Sequence, residues 1–284
     1  MKSYEHIVSK QIEWAYNHKI ALIGSAGNHG RLAYTRCVED NLFEPLSPAN
    51  DRAFREGDGS ELAGTPAKMQ AVHSSAALAV NIFQFWDSVN ESHVIAHACR
   101  FCKKSTKISR NIAFEVKYPI YDSFHYAPNV DVVIENLPDS QYQVYAIESK
   151  FSEAYSGYSH SGMKTKYLDL DVWGELPHLH ELALSISPHD DRFQHLHAAQ
   201  LIKHILGLKR AYAQDGFRLL YLWYDALGSE GARHQEEIQQ FLETANADGI
   251  AVHELSYQKL IAWLAEHYRA THRHYIEYIT DRYL

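Results

Sequence analysis

Cysteine, long apolar runs and an excess of positive charge are all scarce in this sequence, and each scarcity excludes a class of protein. Only Cys37, Cys99 and Cys102 are present. That is too few, and odd in number, for a disulfide scaffold, and it fits a reducing cytoplasm. No stretch reaches the ~18 uninterrupted apolar residues of a membrane span. The opening MKSYEHIVSKQIEW has no apolar core of a secretion signal. Lys and Arg total 27 against 35 Asp and Glu, a net charge of −8. That argues against a histone-like binder of nucleic acid but leaves room for one basic groove. The Gly24 to Gly30 loop has neither the GK[ST] of a phosphate loop nor a GxGxxG fingerprint, so it reads as a helix stop. No repeat, low-complexity tract or clear linker divides the 284 residues.

What is present is a globular composition, 46% hydrophobic with 22% charged, and one informative stretch from Asn129 to Glu153. Val130 to Glu135 and Gln143 to Phe151 are rich in β-branched and aromatic residues. Pro138, Asp139 and Ser140 between them are turn formers, so the pattern predicts a β-hairpin. Folding it about Asp139–Ser140 sets Asp131 opposite Glu148, on one face of the pair. Lys150, two residues on, shares that face. A slip of one residue would scatter the trio. Two carboxylates and an ammonium at one point suit metal-assisted hydrolysis, in which a hard divalent cation is held by carboxylates and substrate phosphate oxygens. The competing reading is a surface hairpin with an ordinary cross-strand ion pair.

Asp131 followed by Glu148-Ser149-Lys150 resembles the signature of the PD-(D/E)XK nucleases, the restriction-endonuclease-like superfamily. Asn129-Val130 stands where some members have a proline before the aspartate; here Pro128 lies three residues ahead. The resemblance implies an α/β fold with a mixed central sheet flanked by helices. It also implies Mg²⁺ or Mn²⁺ on Asp131, Glu148 and the Ser149 backbone carbonyl, with Lys150 orienting the attacking water. Superfamily members often add a glutamate from the first core helix and a glutamine from the helix after the ExK strand. AAQLIKHILGL looks like the latter and offers Gln200.

The rest of the chain is read around that core. Tyr4 to Leu22 predicts a helix, and Cys37 to Pro66 reads as loop. Ala67 to Val89 predicts a long buried helix with Thr65 as cap and Pro66 in its first turn. It contains no Glu, so the helix ligand is missing or replaced. The cluster His93, His97, Cys99 and Cys102 raises zinc, but all four fall on one short stretch, and a helix end with buried cysteines is the better reading. Asn111 to Ile120 predicts a strand on which Glu115 faces either the metal or solvent. Lys103, Lys104 and Lys107 form a basic run, and the Ser/Gly/Tyr-rich 153–166 segment ends in Lys164 and Lys166. With Lys203 they are candidate contacts for a nucleic-acid backbone.

His178-Leu-His180 and His195-Leu-His197 read as surface histidines. Ser187-Pro-His-Asp190 reads as the start of the Gln200 helix, on which His204 is a lesser candidate for backbone contact. Phe217 to Tyr224 predicts a central strand, Glu236 to Asn246 a helix, Gly249 to His253 a short strand, and helices follow from Ser256. The expectation is a single nuclease-like domain over 1–284. Residues 1–66 would embellish a 67–253 core, and 254–284 would close it with helices. The functional expectation is a Mg²⁺-dependent endonuclease acting on DNA, with restriction or defence as a natural role and two copies as a plausible unit. The alternatives are a binding module of the same fold that has lost its chemistry, and a zinc protein built on the histidines.

Overall fold

The computed structural model describes residues 2–24, 32–157 and 160–284. All of the Gly24 to Gly30 loop except Gly24 lies outside the described residues. A five-stranded mixed sheet forms the centre, in the order β3 (Ser109–Lys117), β4 (Asn129–Asn136), β5 (Val144–Lys150), β6 (Phe217–Trp223), β7 (Val252–Ser256). The first three strands run antiparallel, and β5–β6 and β6–β7 are parallel. β6 has both neighbours, which explains its near-continuous apolar sequence FRLLYLW.

The hairpin register is the expected one: Val132 pairs with Ile147, Val133 with Ala146 and Ile134 with Tyr145. The assigned pairing stops at Val132–Ile147. Asp131 and Glu148 therefore lie one step beyond it, where the strands part.

Helices cover both faces. On one, α3 (Ser75–Ser88), α4 (Ser92–Ala98), α8 (Tyr257–Tyr268) and α9 (Arg273–Tyr283) pack on Val132, Ile134, Tyr145, Ile147, Leu220 and Leu222. On the other, α5 (Pro177–Ser185), α6 (Ala198–Tyr212) and α7 (Gly228–Ala247) pack on Val133, Val144, Ala146, Leu219 and Tyr221. The alternation of β5 is thus read by two cores, odd positions by one and even positions by the other. No helix among the described residues is long and apolar enough to cross a membrane.

Several boundaries differ from expectation, each for a local reason. Helix α1 spans Ser3–Asn17, and the segment after it pairs as a small hairpin, β1 (Leu22–Gly24) with β2 (Leu32–Thr35). The expected loop 37–66 contains α2, Pro48–Glu56, whose Ser47 side chain accepts the Asn50 amide at 3.2 Å with Pro48 at the first position. Helix α3 begins at Ser75 rather than Ala67. Ser74 is its cap, accepting from the Ala77 amide at 3.2 Å, and Pro66 lies outside it.

Likewise α6 starts at Ala198, not after Ser187. Asp190 Oδ1 accepts the amides of Arg192 and Phe193, and Glu237 of α7 accepts those of Gln194, His195 and Leu196. Side chains thereby satisfy amides that a helix would otherwise have engaged, and the segment stays non-helical.

Candidate active site

The site forms where β4 and β5 part. Asp131 does not sit in a ladder pair; its Oδ2 accepts the Ser149 backbone amide at 2.7 Å. Its carboxylate lines a cavity of ≈ 50 Å³ under α3 together with Glu61, Glu115 and Ser149. Glu148 and Lys150 point the other way, toward α6. Lys150 Nζ lies 2.6 Å from Glu148 Oε1 and donates to Gln200 Oε1 at 3.1 Å. His204 Nε2 donates to Glu148 Oε2 at 2.8 Å. Ser149 Oγ shares a 2.6 Å hydrogen bond with the buried Tyr257 hydroxyl. The single shared face expected of the three signature residues is therefore not found: they stand together at the strand ends and act on one another electrostatically, but Asp131 faces the α3 side while Glu148 and Lys150 face α6, because Asp131 lies beyond the last β4–β5 pair.

The charges are strongly perturbed. Burial alone would push the Glu148 carboxyl up, but the Lys150 ammonium and His204 outweigh it and hold the group at about 2. Burial would lower Lys150, but Glu148 and Asp131 raise it instead, so it stays protonated. Asp131 is raised well above the carboxylate range by burial and by Glu148, with Lys150 opposing. Burial likewise raises Glu115, with Glu148 and Asp58 adding to it, and takes Glu61 to about 7. Acidic groups are therefore crowded here beyond what the protein's own cation neutralises. Such a centre attracts positive charge.

Glu115 lies across β3–β4 from Asp131, between the pairs Phe114–Val132 and Val116–Val130. It has a positive φ of 54°, a conformation that costs a non-glycine residue energy and recurs at functional sites. Its Oε2 accepts from Asn129 Nδ2 at 3.0 Å. Of the two orientations open to it in the sequence, it takes the one toward the site.

Of the six lysines, Lys164, Lys166 and Lys203 fall in one field beside Glu148. Burial lowers the Lys203 ammonium, Lys164 and Lys166 add to that, and Glu148 opposes it. Lys103, Lys104 and Lys107 are exposed and lie elsewhere, a correction to the expected grouping. They precede Ile108, whose carbonyl accepts the Leu137 amide beside the hairpin turn. That is roughly 20 Å along the strand from Asp131.

The histidines are corrected too. His195 is 4% exposed rather than superficial, and His197 is partly buried, whereas His178 is exposed as expected. His97 Nδ1 donates to the Cys102 carbonyl, and Cys99 is fully buried. Among the described residues no three His, Cys, Asp or Glu side chains stand close enough to hold a metal by themselves.

Two contributors escaped the sequence reading, and a third, His204, was read in another role. Glu61 comes from the loop before α3 and takes up the space where a helix glutamate was sought; no local pattern announces it. Glu153, just after β5, is partly buried, and the desolvation that raises its carboxyl is opposed by the Lys150 ammonium. His204 reaches Glu148, not a phosphate backbone. Its spacing of four from Gln200 puts both on one helix face, a signal present in the sequence.

A mixed five-stranded sheet between helical layers, with an acidic pair and a lysine at the parting strands, defines a restriction-endonuclease-like α/β protein. The match to known families agrees. Residues 3–284 match the family described as "Restriction Endonuclease associating with ARP", and the chain belongs to that family. No curated protein and no solved structure was found to match it.

Proposed function

We propose that this protein is a metal-dependent endodeoxyribonuclease of the PD-(D/E)XK type. The observation that carries the reading is Lys150 Nζ held between Glu148 Oε1 and Gln200 Oε1 beside the raised carboxyl of Asp131. The family's description as a restriction endonuclease supports a nuclease and DNA as its substrate.

The residues fit a divalent cation. Glu148 Oε1 is buried against the Lys150 ammonium at 2.6 Å, and as an anionic oxygen it keeps a further lone pair that a cation would share. Asp131 and Glu115 are carboxylates that a cation would relieve. The lack of a ready-made cage suits Mg²⁺, which usually keeps several waters and takes one or two carboxylates plus substrate phosphate. Asp131, Glu148 and the Ser149 carbonyl would hold it, with Glu115 as a further oxygen ligand. A bound Mg²⁺ or Mn²⁺ supplies polarisation of the phosphoryl group and a water of lowered pKa.

The chain's own side chains do the rest. Lys150 donates to the attacking water and to the phosphoryl oxygen on which negative charge develops. Gln200 restrains the ammonium, and His204 fixes the rotamer of Glu148. Lys164, Lys166 and Lys203 bind the sugar-phosphate backbone without reading sequence. Cutting both strands would call for two copies or two binding events.

Purified protein incubated with plasmid DNA and Mg²⁺ or Mn²⁺ tests this beside Lys150→Ala and Glu148→Ala. Cleavage by the wild type alone is expected. Equal cleavage by all three would assign the activity to another site. No cleavage, with retained DNA binding, would leave a binding module of the same fold.

A further inference from the structure

The connection between β3 and β4, residues 118–128, stands at the same end of the sheet as the candidate active site. At its base Lys117 pairs with Asn129, whose side chain donates to Glu115. Its sequence, YPIYDSFHYAP, is rich in aromatic residues where most loops favour Gly, Asn and Ser. The loop is braced from beneath. The Phe124 amide donates to the Tyr121 carbonyl at 3.2 Å, which closes a turn over Asp122 and Ser123. Asp122 is tied to Arg210 of α6 at 2.6 Å, and the Phe124 ring meets Tyr167 edge-on with centres 5.0 Å apart.

Tyr126 takes no part in this bracing. It is 72% exposed, belongs to no core cluster, and its side chain has no hydrogen bond or ring partner among the described residues. Tyr121, on the same loop, is 41% exposed. One exposed tyrosine is ordinary surface. Here two stand on a braced loop, and chain length keeps the Tyr126 Cα within about 18 Å of the Asp131 Cα.

Cations lead from the active site to this loop. Lys203 lies one turn along α6 from Gln200, the partner of Lys150, and Lys164 and Lys166 both act on its ammonium. Lys166 Nζ lies 4.2 Å from the centre of the Phe124 ring and has no carboxylate partner among the described residues. Beyond Tyr121 the cations are neutralised: Arg210 holds Asp122, and Lys209 lies 3.8 Å from Glu175. A groove of ≈ 410 Å³ opens there, with Tyr121, Ile120, Val172 and Leu206 in its lining. The first part of this track draws phosphates, and the second suits flat apolar rings. A DNA strand freed from its complement offers both, because every base then has an open π face beside a charged backbone. A duplex keeps those faces stacked and shows only base edges.

We propose that the 118–128 loop is a stacking platform for unpaired bases of DNA, with Tyr126 and Tyr121 as the rings and Lys166 on the adjoining phosphate. The favoured ligand is single-stranded DNA or a duplex with a melted stretch. That such DNA is also cut rests on the nuclease reading above.

Binding is measured in chelator, where cleavage cannot intervene, by fluorescence anisotropy of the full chain. The probes are a labelled oligothymidylate of about 16 nucleotides, long enough for one such site, and the duplex it forms with its complement. The wild type should prefer the single strand. Tyr126→Ala and Tyr121→Ala should each weaken single-strand binding by about fivefold or more, the loss of one stacked base, and leave duplex binding unchanged. Tyr126→Phe keeps the ring and should restore wild-type affinity, while far-UV circular dichroism stays the same throughout. Single-strand affinity that is unchanged in both alanine variants overturns the proposal. So does an equal loss on both probes, or wild-type preference for the duplex. A separate arm adds Mg²⁺ or Mn²⁺ to a duplex carrying a short unpaired bubble, which should be cut in preference to the fully paired one. Absence of any cleavage beside tyrosine-dependent single-strand binding would sink the nuclease reading and uphold the platform.

Discussion

At Glu148 a balance of burial and pairing decides the charge. Burial favours the protonated acid, yet Lys150 and His204 bring the group from its usual 4.5 to about 2. A carboxylate held low in the folded state contributes stability that is present above pH 4.5 and lost as pH falls toward 2. Replacing it by Gln should flatten that part of the acid unfolding curve, measured by urea titration at successive pH values. Glu61 has the opposite sign. Its acid is raised to about 7, so its ionisation erodes stability as pH climbs from about 4.5 to 7. Glu61→Gln should remove this decline in a metal-free thermal melt. Lys150→Ala should lower cleavage by about 10²-fold or more in kcat. It also strips a buried carboxylate of its cation, at a cost of about 3–5 kcal/mol in denaturant unfolding. His204→Leu leaves Glu148 Oε2 without its donor. The acidic limb of the pH–rate profile should then move upward, and a limb that stays in place would deny His204 its role.

Among elements, α6 matters most, because it presents Gln200 and His204 to β5 from one face. Its approach is set by Gly207, where a Cβ would stand 2.4 Å from the Tyr118 carbonyl oxygen and 2.9 Å from the Tyr118 Cβ. Alanine normally favours a helix over glycine by about 1 kcal/mol. Here the backbone clash reverses the sign, and Gly207→Ala should destabilise by about 1–3 kcal/mol in denaturant unfolding. Activity should fall with it, since tilting α6 separates Gln200 from Lys150. The β4–β5 hairpin is the complementary element. Its register places Asp131 and Glu148 one step past the last pair, so the two carboxylates stand at the parting strands, one toward α3 and the other toward α6.

For the whole molecule, Arg282 joins segments distant in sequence. Its buried guanidinium on α9 donates to Gln11 Oε1 of α1, to the Asn41 backbone and side-chain oxygens, and to the Tyr278 hydroxyl. It lies 4.3 Å from the centre of the Trp14 ring. The charge is thus held by neutral acceptors and aromatic faces. Arg282→Ala should cost roughly 3 kcal/mol or more, because several buried acceptors lose their donor together. A denaturant midpoint unchanged from wild type would show that this joint contributes nothing. Divalent metal acts at the same scale. Mg²⁺ should raise the melting temperature at pH 7 more than at pH 5, where protons already relieve the acidic cluster. Asp131→Asn should reduce the rise.

The amino-acid order alone determined the parts that depend on neighbours. Alternation of apolar residues either side of Pro138-Asp139-Ser140 specified the hairpin and its register. The apolar run Phe217 to Trp223 specified a central strand, and Ser256 specified a helix start. These rest on local geometry, which a pattern of two or 3.6 residues reports faithfully. Tertiary structure alone decided the rest. It brought Glu61 to Asp131 and His204 to Glu148, and it kept the segment before α6 out of a helix by lending the amides of Gln194, His195 and Leu196 a carboxylate from α7. It also set Lys103 to Lys107 apart from Lys164, Lys166 and Lys203. Those outcomes turn on distances between residues about 40 to 100 positions apart in the chain, and they exist only once both helical layers have closed on the sheet.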